Sequence, residues 1–260
     1  MDRKTLCSAL ALIALGLPAW SAPAMDARAI VKRVNDRDDG KDAYAKVEMY
    51  LTAAGGYSEK RSLIQAYKYF GGLRKTYTRF TEPASIDGTS FLSWQRANDA
   101  DDDQFLYLPE LGRDRRIVSS QKDGDFVNTD FTYEDMQERS VDKDTHVLLK
   151  EEKIGTYDCW VVESTPKDQT TSQYRRWVAW VPKDIFVPLR VEYYTKVVRQ
   201  PTKVLTVSKL QKISGIWTVM SVEMKNLERK HTTILRTLEV KYNKGVPDRM
   251  FTRPYLKTPK

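Results

Sequence analysis

The chain has 260 residues, a formal net charge of +8 and 30% charged residues. A histidine-based zinc centre or a serine triad needs richer clusters of such residues than the two histidines of this chain provide. The excess of Lys and Arg is spread along the chain and no recognised nucleic-acid-binding module is visible, so we expect no binding to nucleic acid.

The N-terminus has the pattern of a secretory signal peptide. "MDRKT" supplies cations, "LCSALALIALGLPAW" is an apolar run, and "SAPA" places small residues at Ala22 and Ala24. A membrane anchor is the alternative, but the run is short for one. We therefore predict a signal peptide over residues 1–24, cleaved after Ala24, and an exported, periplasmic mature domain over residues 25–260.

One helix is predicted first, and strands follow it. Residues 25–37 carry apolar side chains near helical spacing, with Asp26 as the N-cap. From Val47 onward, apolar and polar residues alternate in about eleven segments that are separated by turns. Short connections require antiparallel pairing, and so many strands must twist, curl or close. We predict an all-β fold, a curved half-barrel sheet with the N-terminal helix and a short lid helix over its concave apolar face.

The stretch "NTDFTYEDM" (128–136) has the composition of an acid cluster but the spacing of a helix start. Thr132 and Asp135 form a capping-box pattern, so we predict a short helix that covers the sheet. The side chains expected to form its apolar underside, the lid, are Phe131, Tyr133 and Met136. We expect Asp130 to form a salt bridge with Arg115 or Arg116 that holds this lid.

Neither the histidines nor the aspartates indicate a catalytic or metal site. His146 and His231 lie far apart in strand patterns, where exposed side chains are expected. "NDADDDQF" lacks the glycine and the distal glutamate of a calcium loop, which favours a solvated hairpin tip. Of the two cysteines only Cys159 lies in the predicted mature chain, and we expect a buried, inert thiol. We predict no enzyme, no metal and no cofactor.

Apolar strand residues that should face the helices are candidates for a hydrophobic cavity. By alternation these are Val47, Met49, Leu51, Trp94, Leu106, Leu108, Trp160, Val162 and Trp177, although a shift of one residue would invert a strand. They would either fill a core or line a cavity for acyl chains, where each buried CH₂ contributes about 0.8 kcal/mol. A basic patch, Arg113, Arg115 and Arg116, would contact a lipid head group, an acidic partner or only water.

Four stretches, taken in order, resemble the outer membrane lipoprotein-sorting proteins, a periplasmic group related in fold to the lipoprotein carrier LolA and the receptor LolB. They are "RFTEPASIDGTSFLSW" (79–94), "FLYLPELGRDRRI" (105–117), "DFTYEDM" (130–136) and "YNKGVPDRMFTRPYL" (242–256). The resemblance implies a half-barrel with a hydrophobic cavity for lipoprotein acyl chains or another lipid. Asp114 departs from the more basic or apolar run expected there, and we expect it to neutralise part of the basic patch.

From the resemblance we expect a monomeric, non-enzymatic periplasmic carrier or chaperone. It would take a lipoprotein or lipid cargo from an inner-membrane transporter towards an outer-membrane acceptor. The alternative is a non-cargo accessory or interaction subunit of an envelope transport system of the resistance–nodulation–division type. A cavity of several hundred cubic ångströms would favour the carrier, and a packed interior would favour the interaction subunit.

Overall fold

The computed structural model describes residues 25–98, 100–195 and 199–258. The predicted signal peptide and its cleavage site lie outside these residues, and the division into one signal peptide and one domain stays a prediction. Within the described ranges, no helix is long and apolar enough to cross a membrane.

A single antiparallel sheet of thirteen strands forms the body of the protein. Its strands are β1 (Asp42–Thr52), β2 (Ser58–Phe70), β3 (Leu73–Glu82), β4 (Ser90–Trp94), β5 (Asp103–Leu108), β6 (Arg113–Ile117), β7 (Asp144–Ile154), β8 (Tyr157–Pro166), β9 (Tyr174–Pro182), β10 (Arg190–Thr195), β11 (Lys203–Ile213), β12 (Ile216–Asn226) and β13 (His231–Tyr242). The predicted class, a curved antiparallel sheet, is confirmed. The strand count is slightly higher than the eleven expected.

The strand order is β6-β5-β4-β3-β2-β1-β13-β12-β11-β10-β9-β8-β7. The first and last strands, β1 and β13, are therefore neighbours in the middle of the sheet, and β6 and β7 form its two edges. The chain leaves the first edge at residue 118 and reaches the second at residue 143. We call this connection, residues 118–143, the strap.

The helix predicted near the N-terminus is present as α1 (Ala27–Asn35). Asp26 caps it as predicted, because its Oδ1 accepts a hydrogen bond from the backbone N–H of Ala29 at 2.7 Å. Ile30 is fully buried and packs with Val162 and Val181 of β8 and β9. The strap packs on the same side of the sheet as α1, and we call that side the inner face and the opposite side the outer face.

The strap covers half of the inner face with aromatic side chains. Its Phe126 and Tyr133 pack on Phe91 of β4, with ring centroids 5.1 and 5.9 Å apart. These rings close a core that also takes in β1, β2, β3, β5 and β6. Burial of this apolar surface is the main force that holds the strap to the sheet.

The lid helix expected within the strap does not form. The capping pair itself is present: Thr132 N donates to Asp135 Oδ2 at 2.8 Å and Asp135 N donates to Thr132 Oγ1 at 3.3 Å. Residues 133–136 nevertheless make a turn and not a helix. The prediction of a lid helix was therefore wrong, although the local capping geometry behind it was correct.

A second cover lies on the outer face. Residues 246–257, which we call the tail, place Phe251 and Leu256 in a buried cluster with Tyr77 of β3 and Leu92 of β4. The tail thereby fixes the outer side of the half of the sheet that carries the strap on its inner side.

Candidate functional site

The described part of the inner face contains a cavity of about 540 Å³ next to the strap-covered core. Its apolar wall comes from strands in the middle of the sheet and from the segment before β10. The residues are Ala43, Ala45, Val187, Trp217, Val219 and Val240, and the strap adds Met136. A volume of this size is within the range of small-molecule sites in proteins, and its small side chains on β1 are what leave the space open.

The opposite end of the cavity is polar. It is formed by the connection between α1 and β1, by the inner-face side chains of β2 and β3, and by the end of the strap. The charged members are Arg37, Asp39, Arg74, Asp102, Glu138 and Arg139, and Asp135 also borders the cavity. The cavity is therefore amphipathic, with an apolar wall at one side and a group of charges at the other.

Hydrogen bonds fix the geometry of this polar end. Tyr69 Oη lies 3.2 and 3.1 Å from the two carboxylate oxygens of Asp39, and Tyr67 Oη donates to the Asp39 carbonyl. Arg74 Nη1 donates to Asp39 Oδ2 at 3.3 Å, and its guanidinium lies 3.9 Å from the centroid of the Tyr67 ring. Burial raises the pKa of Tyr69 to about 12, so this hydroxyl stays a donor.

A second, more polar depression of about 610 Å³ adjoins the cavity. It runs along α1 and the end of the strap, and it shares Asn35, Arg37, Asp39, Gln95, Asp102, Glu138 and Arg139 with the cavity. Its surface charges are largely paired, for example Arg28 with Asp142 at 2.6 Å. This depression connects the polar end of the cavity with solvent.

Most of the nine side chains predicted to line a cavity lie instead in packed cores. Val47, Met49, Leu51, Leu106 and Leu108 belong to the core under the strap, and Trp160 and Val162 lie under α1. Trp177 lies against the Arg139 guanidinium, 5.3 Å from its ring centroid. None of the nine is part of the cavity wall, and their contact with a ligand stays a prediction.

Trp94 requires a correction, because it lies on the outer face. Its Nε1 donates to the Phe251 carbonyl at 3.0 Å, and its ring packs edge-on against Phe105 at 5.1 Å. Inner positions of β4 are taken by Phe91 and Ser93. The alternation rule inverts a whole strand when its register is shifted by one residue.

Of the three predicted lid side chains, one reaches the cavity. Phe131 and Tyr133 are buried in the core, and Met136 borders the open space. The β1 side of the cavity wall was missed in the sequence because it consists of the small residues Ala43 and Ala45. The usable signal was the absence of large apolar side chains at the inner positions of the start of β1.

The predicted partners of Asp130 were wrong. Asp130 is fully buried and accepts from Thr233 Oγ1 at 2.7 Å and from Arg229 Nη2 at 3.3 Å, and its Oδ2 lies 2.7 Å from His231 Nδ1. All three partners belong to β13 or to the turn before it. The carboxylate therefore holds the strap to the centre of the sheet and not to the edge strand β6.

The arginines of the basic patch lie on or beside the edge strand β6, and all three are exposed. Arg116 pairs with Asp103 of β5. Asp114 faces the tail, where it lies 2.7 Å from Arg253 Nη2 and 3.1 Å from Lys257 Nζ. The expected neutralisation of the patch by Asp114 was wrong, because the aspartate anchors the tail on the outer face.

The aspartate run before β5 lies in the hairpin connection between β4 and β5, as predicted, but it is only partly solvated. Asp101 lies 3.2 Å from Lys122 Nζ and 3.1 Å from Lys143 Nζ. Asp102 is buried and accepts from Ser93 Oγ at 3.0 Å. Asp99 lies outside the described residues. Among the residues that are described, no group of three or more His, Cys, Asp or Glu side chains could hold a metal ion.

The expectation of exposed histidines was wrong, whereas that of a buried thiol was correct. His146 is half-buried, with Nδ1 2.8 Å from Ser164 Oγ and Nε2 2.9 Å from the Val141 carbonyl. His231 pairs with the strap as described above. Cys159 is fully buried, and burial raises the pKa of its thiol.

Comparison with known proteins decides the family. A family model described as an uncharacterized protein matches residues 72–258. The chain is 33% identical to a DUF1329 family protein from Desulfovibrio piger, over 88% of this chain and 97% of that one, with a TM-score of 0.83. It is 31% identical to a protein from Vibrio parahaemolyticus described as an outer membrane lipoprotein-sorting protein domain, over 89% and 98% of the two chains, with a TM-score of 0.83.

The chain belongs to this family of outer membrane lipoprotein-sorting proteins. A LolA superfamily protein from Nitrosomonas europaea, 22% identical over 89% of this chain and 100% of that one, shares the fold with a TM-score of 0.68. No curated protein matches the chain.

The stretches that resemble the lipoprotein-sorting family lie together in the structure. They form β3 to β6, the strap and the tail, which are the elements of the strap-covered half of the sheet. Gly88 shows how closely these elements approach each other: its φ is +84°, and a Cβ there would lie 3.1 Å from Pro109. The motifs thus describe the packed part of the lipoprotein-sorting fold, and the cavity lies beside it.

Proposed function

We propose that the protein is a periplasmic carrier that binds an acyl chain of a lipoprotein, or of another lipid, in the inner-face cavity. The observation that carries this proposal is the amphipathic cavity of about 540 Å³, with Trp217, Val219 and Met136 in its apolar wall and charges at its open end. An acyl chain fits the apolar wall and its polar head fits the open end. Relatives that are named for lipoprotein sorting support the same cargo class.

A carrier of this kind must be exported and must have a donor and an acceptor, but it needs no catalytic activity. The protein would work in the periplasm as a monomer, receive its cargo from an inner-membrane transporter and deliver it towards an outer-membrane acceptor. It would not be an enzyme, because an acyl chain needs only burial and release. A strap that covers half of the inner face offers one movable element for that release.

Binding of acyl chains is tested directly on the mature protein. Native mass spectrometry of protein purified from its own periplasm, followed by lipid extraction, should find a bound lipid, and a fluorescent acyl probe should be displaced by fatty acyl compounds. Absence of both signals would contradict the carrier and would leave the accessory subunit as the function to test.

A matched pair of variants assigns the binding to this cavity. Ala45 lines the cavity, whereas its neighbour Lys46 is exposed on the other side of β1. Ala45→Phe should fill the cavity and weaken probe binding about tenfold or more. That change corresponds to a loss of about 1.4 kcal/mol or more in the binding free energy. Lys46→Phe should leave probe binding unchanged. Equal probe affinity in both variants would place the acyl site elsewhere.

A further inference from the structure

Two buried polar atoms at the polar end of the cavity lack a partner. Within the described residues, Arg74 Nε and Glu138 Oε2 are buried and make no hydrogen bond. Both residues belong to the cavity wall. Leaving a buried donor or acceptor unpaired costs about 1–3 kcal/mol, so such a pair in a cavity indicates a ligand group that satisfies both atoms.

Arg74 is held in place without the use of its Nε–H. Its Nη1 is bound to Asp39, its guanidinium lies over the Tyr67 ring, and its backbone N–H donates to Gln95 Oε1 at 2.8 Å. The direction of the free Nε–H is therefore fixed before a ligand arrives. Preorganisation of this kind lowers the entropic cost of binding.

Glu138 is the matching group on the strap. Burial raises the pKa of its carboxyl group, and the negative charge of Asp39 raises it further, while the Arg74 charge opposes both. Among the described residues no ion pair joins Arg74 to Glu138, although their charges influence each other. A ligand group that accepts from Arg74 Nε and bonds to Glu138 Oε2 satisfies both residues at once.

The surrounding charges disfavour an anionic ligand. Arg139, the nearest strap cation in sequence, is committed to Asp144 through bonds of 2.9, 2.9 and 2.7 Å. Arg74 already shares its charge with Asp39. A carboxylate or phosphate at this place would meet Asp39 and Glu138, and the remaining cation of the polar end, Arg37, is exposed, so solvent screens its charge and it compensates less than a buried cation would.

We propose that the polar end of the cavity binds an uncharged head group that both donates and accepts hydrogen bonds, a hydroxyl or an amide next to an acyl chain. The head-group oxygen accepts from Arg74 Nε, and its O–H or N–H donates to Glu138 Oε2. The acyl chain then runs along Trp217 and Val219. This inference rests on the proposed function, since it assigns a head-group class to the same cavity.

Ligands that share one chain and differ in the head group test the inference. Palmitamide, monopalmitoylglycerol, palmitate and palmitoyl lysophosphatidate are compared by displacement of the acyl probe, below their micelle concentrations. Palmitamide or monopalmitoylglycerol should bind about tenfold more tightly than both anions. Preference for the amide would identify an N-acyl group as the source of the head group, and preference for the glycerol would identify a hydroxyl. Anions that bind as tightly as the neutral ligands would overturn the inference.

Three variants separate this inference from the proposed function. Glu138→Gln removes the negative charge with little change of shape, and it should reduce the discrimination against palmitate about threefold or more. Arg74→Met should weaken the neutral ligands, whereas Arg79→Met on the outer side of β3 should not. If Arg74→Met fails to fold, Glu138→Gln alone decides the outcome. Failure of every acyl compound to bind would refute the proposed function, whereas binding without head-group selectivity would refute only this inference.

Discussion

At the scale of single residues, Asp102 is the acidic group with the most unusual environment. Its side chain is buried at 8% exposure, between β4 and the strap. Burial raises its pKa to about 6, although Ser93, Lys122 and Lys143 favour the ionised form. At neutral pH the ionised form of the Asp102 side chain is therefore less favourable in the folded protein than in the unfolded chain.

Replacement of Asp102 by Asn should change the pH dependence of stability. Because the pKa in the folded state lies above the ordinary value of 3.8, the contribution of Asp102 to wild-type stability falls as the pH rises from 3.8 through about 6, and the loss is complete above that range. Asp102→Asn removes this loss, so the variant should gain up to about 3 kcal/mol relative to wild type between pH 4 and pH 7.5. Urea unfolding at both pH values measures the difference.

The exposed Asp123 of the strap provides the control for this experiment. Asp123→Asn should show the same difference from wild type at both pH values. A difference between Asp102→Asn and wild type that does not change with pH would contradict the raised pKa.

The sequence could not single out Asp102 or the polar end of the cavity. Asp101, Asp102 and Asp103 are adjacent and chemically identical. The alternation of β5 places Asp102 on the inner face with Gln104 and Leu106, but its burial depends on the strap, whose position no local pattern predicts. Arg74 and Glu138 lie on β3 and on the strap, far apart in the chain, and no local pattern joins them. By contrast, the cap at Asp26 and the burial of Cys159 were correctly predicted, because they depend on local pattern alone.

At the scale of elements, tertiary pairing overrode local helix propensity in the strap. The capping pair of Thr132 and Asp135 is present, but the next N–H groups bond to the earlier part of the strap. Tyr133 N donates to the Gly124 carbonyl at 3.1 Å, and Glu134 N donates to the Lys122 carbonyl at 2.8 Å. These two N–H groups have no partner inside a helix, so their bonds fix the start of the turn to the earlier strap. Gln137 N then closes a single turn on the Glu134 carbonyl at 3.1 Å, and the strap continues as a loop that is paired with itself.

Asp130 should be the residue on which the attachment of the strap depends most. It is fully buried, and its carboxylate links the strap to Thr233, His231 and Arg229. Asp130→Ala leaves the buried Thr233 hydroxyl and His231 without their acceptor, while Arg229 keeps its bond to Asp125, so it should lower the free energy of unfolding by about 3–5 kcal/mol. Urea unfolding measures this loss.

Hydrogen exchange of the strap separates local from global loosening in this variant. Amides of residues 125–134 should exchange faster than those in the β1–β13 ladder, because the lost contacts belong to the strap. Asp123→Ala, an exposed position of the same strap, should change stability by less than about 0.5 kcal/mol. A loss of similar size in both variants would argue against a special role for Asp130.

At the scale of the whole molecule, short loops predicted the antiparallel sheet, but they could not predict its order. Twelve consecutive strand pairs would form a simple meander, whereas the chain instead pairs β1 with β13 and crosses from β6 to β7 through the strap. That pairing brings Tyr44 of β1 opposite Lys241 of β13, a separation in sequence that no periodicity reveals. The position of the cavity follows from the β1–β13 pairing, because β1, β12 and β13 supply most of the apolar wall.

This topology predicts that a chain cut in the strap stays assembled. A protease site inserted between Ser119 and Ser120, which are both exposed, separates β1–β6 from β7–β13 when it is cleaved. The two fragments remain joined by the β1–β13 ladder, by the strap, whose Phe126 and Tyr133 still pack on Phe91, and by the tail, which packs across β3 to β5. Cleaved protein should therefore elute from gel filtration as one species with the mass of both fragments.

Stability of the cleaved protein should then depend on its concentration, because unfolding now also releases two chains. The same inserted protein before cleavage is the control, and its urea midpoint should not change with concentration. Fragments that separate in native buffer would show that the covalent continuity of the strap, and not the packing between the fragments, holds the two halves of the sheet together.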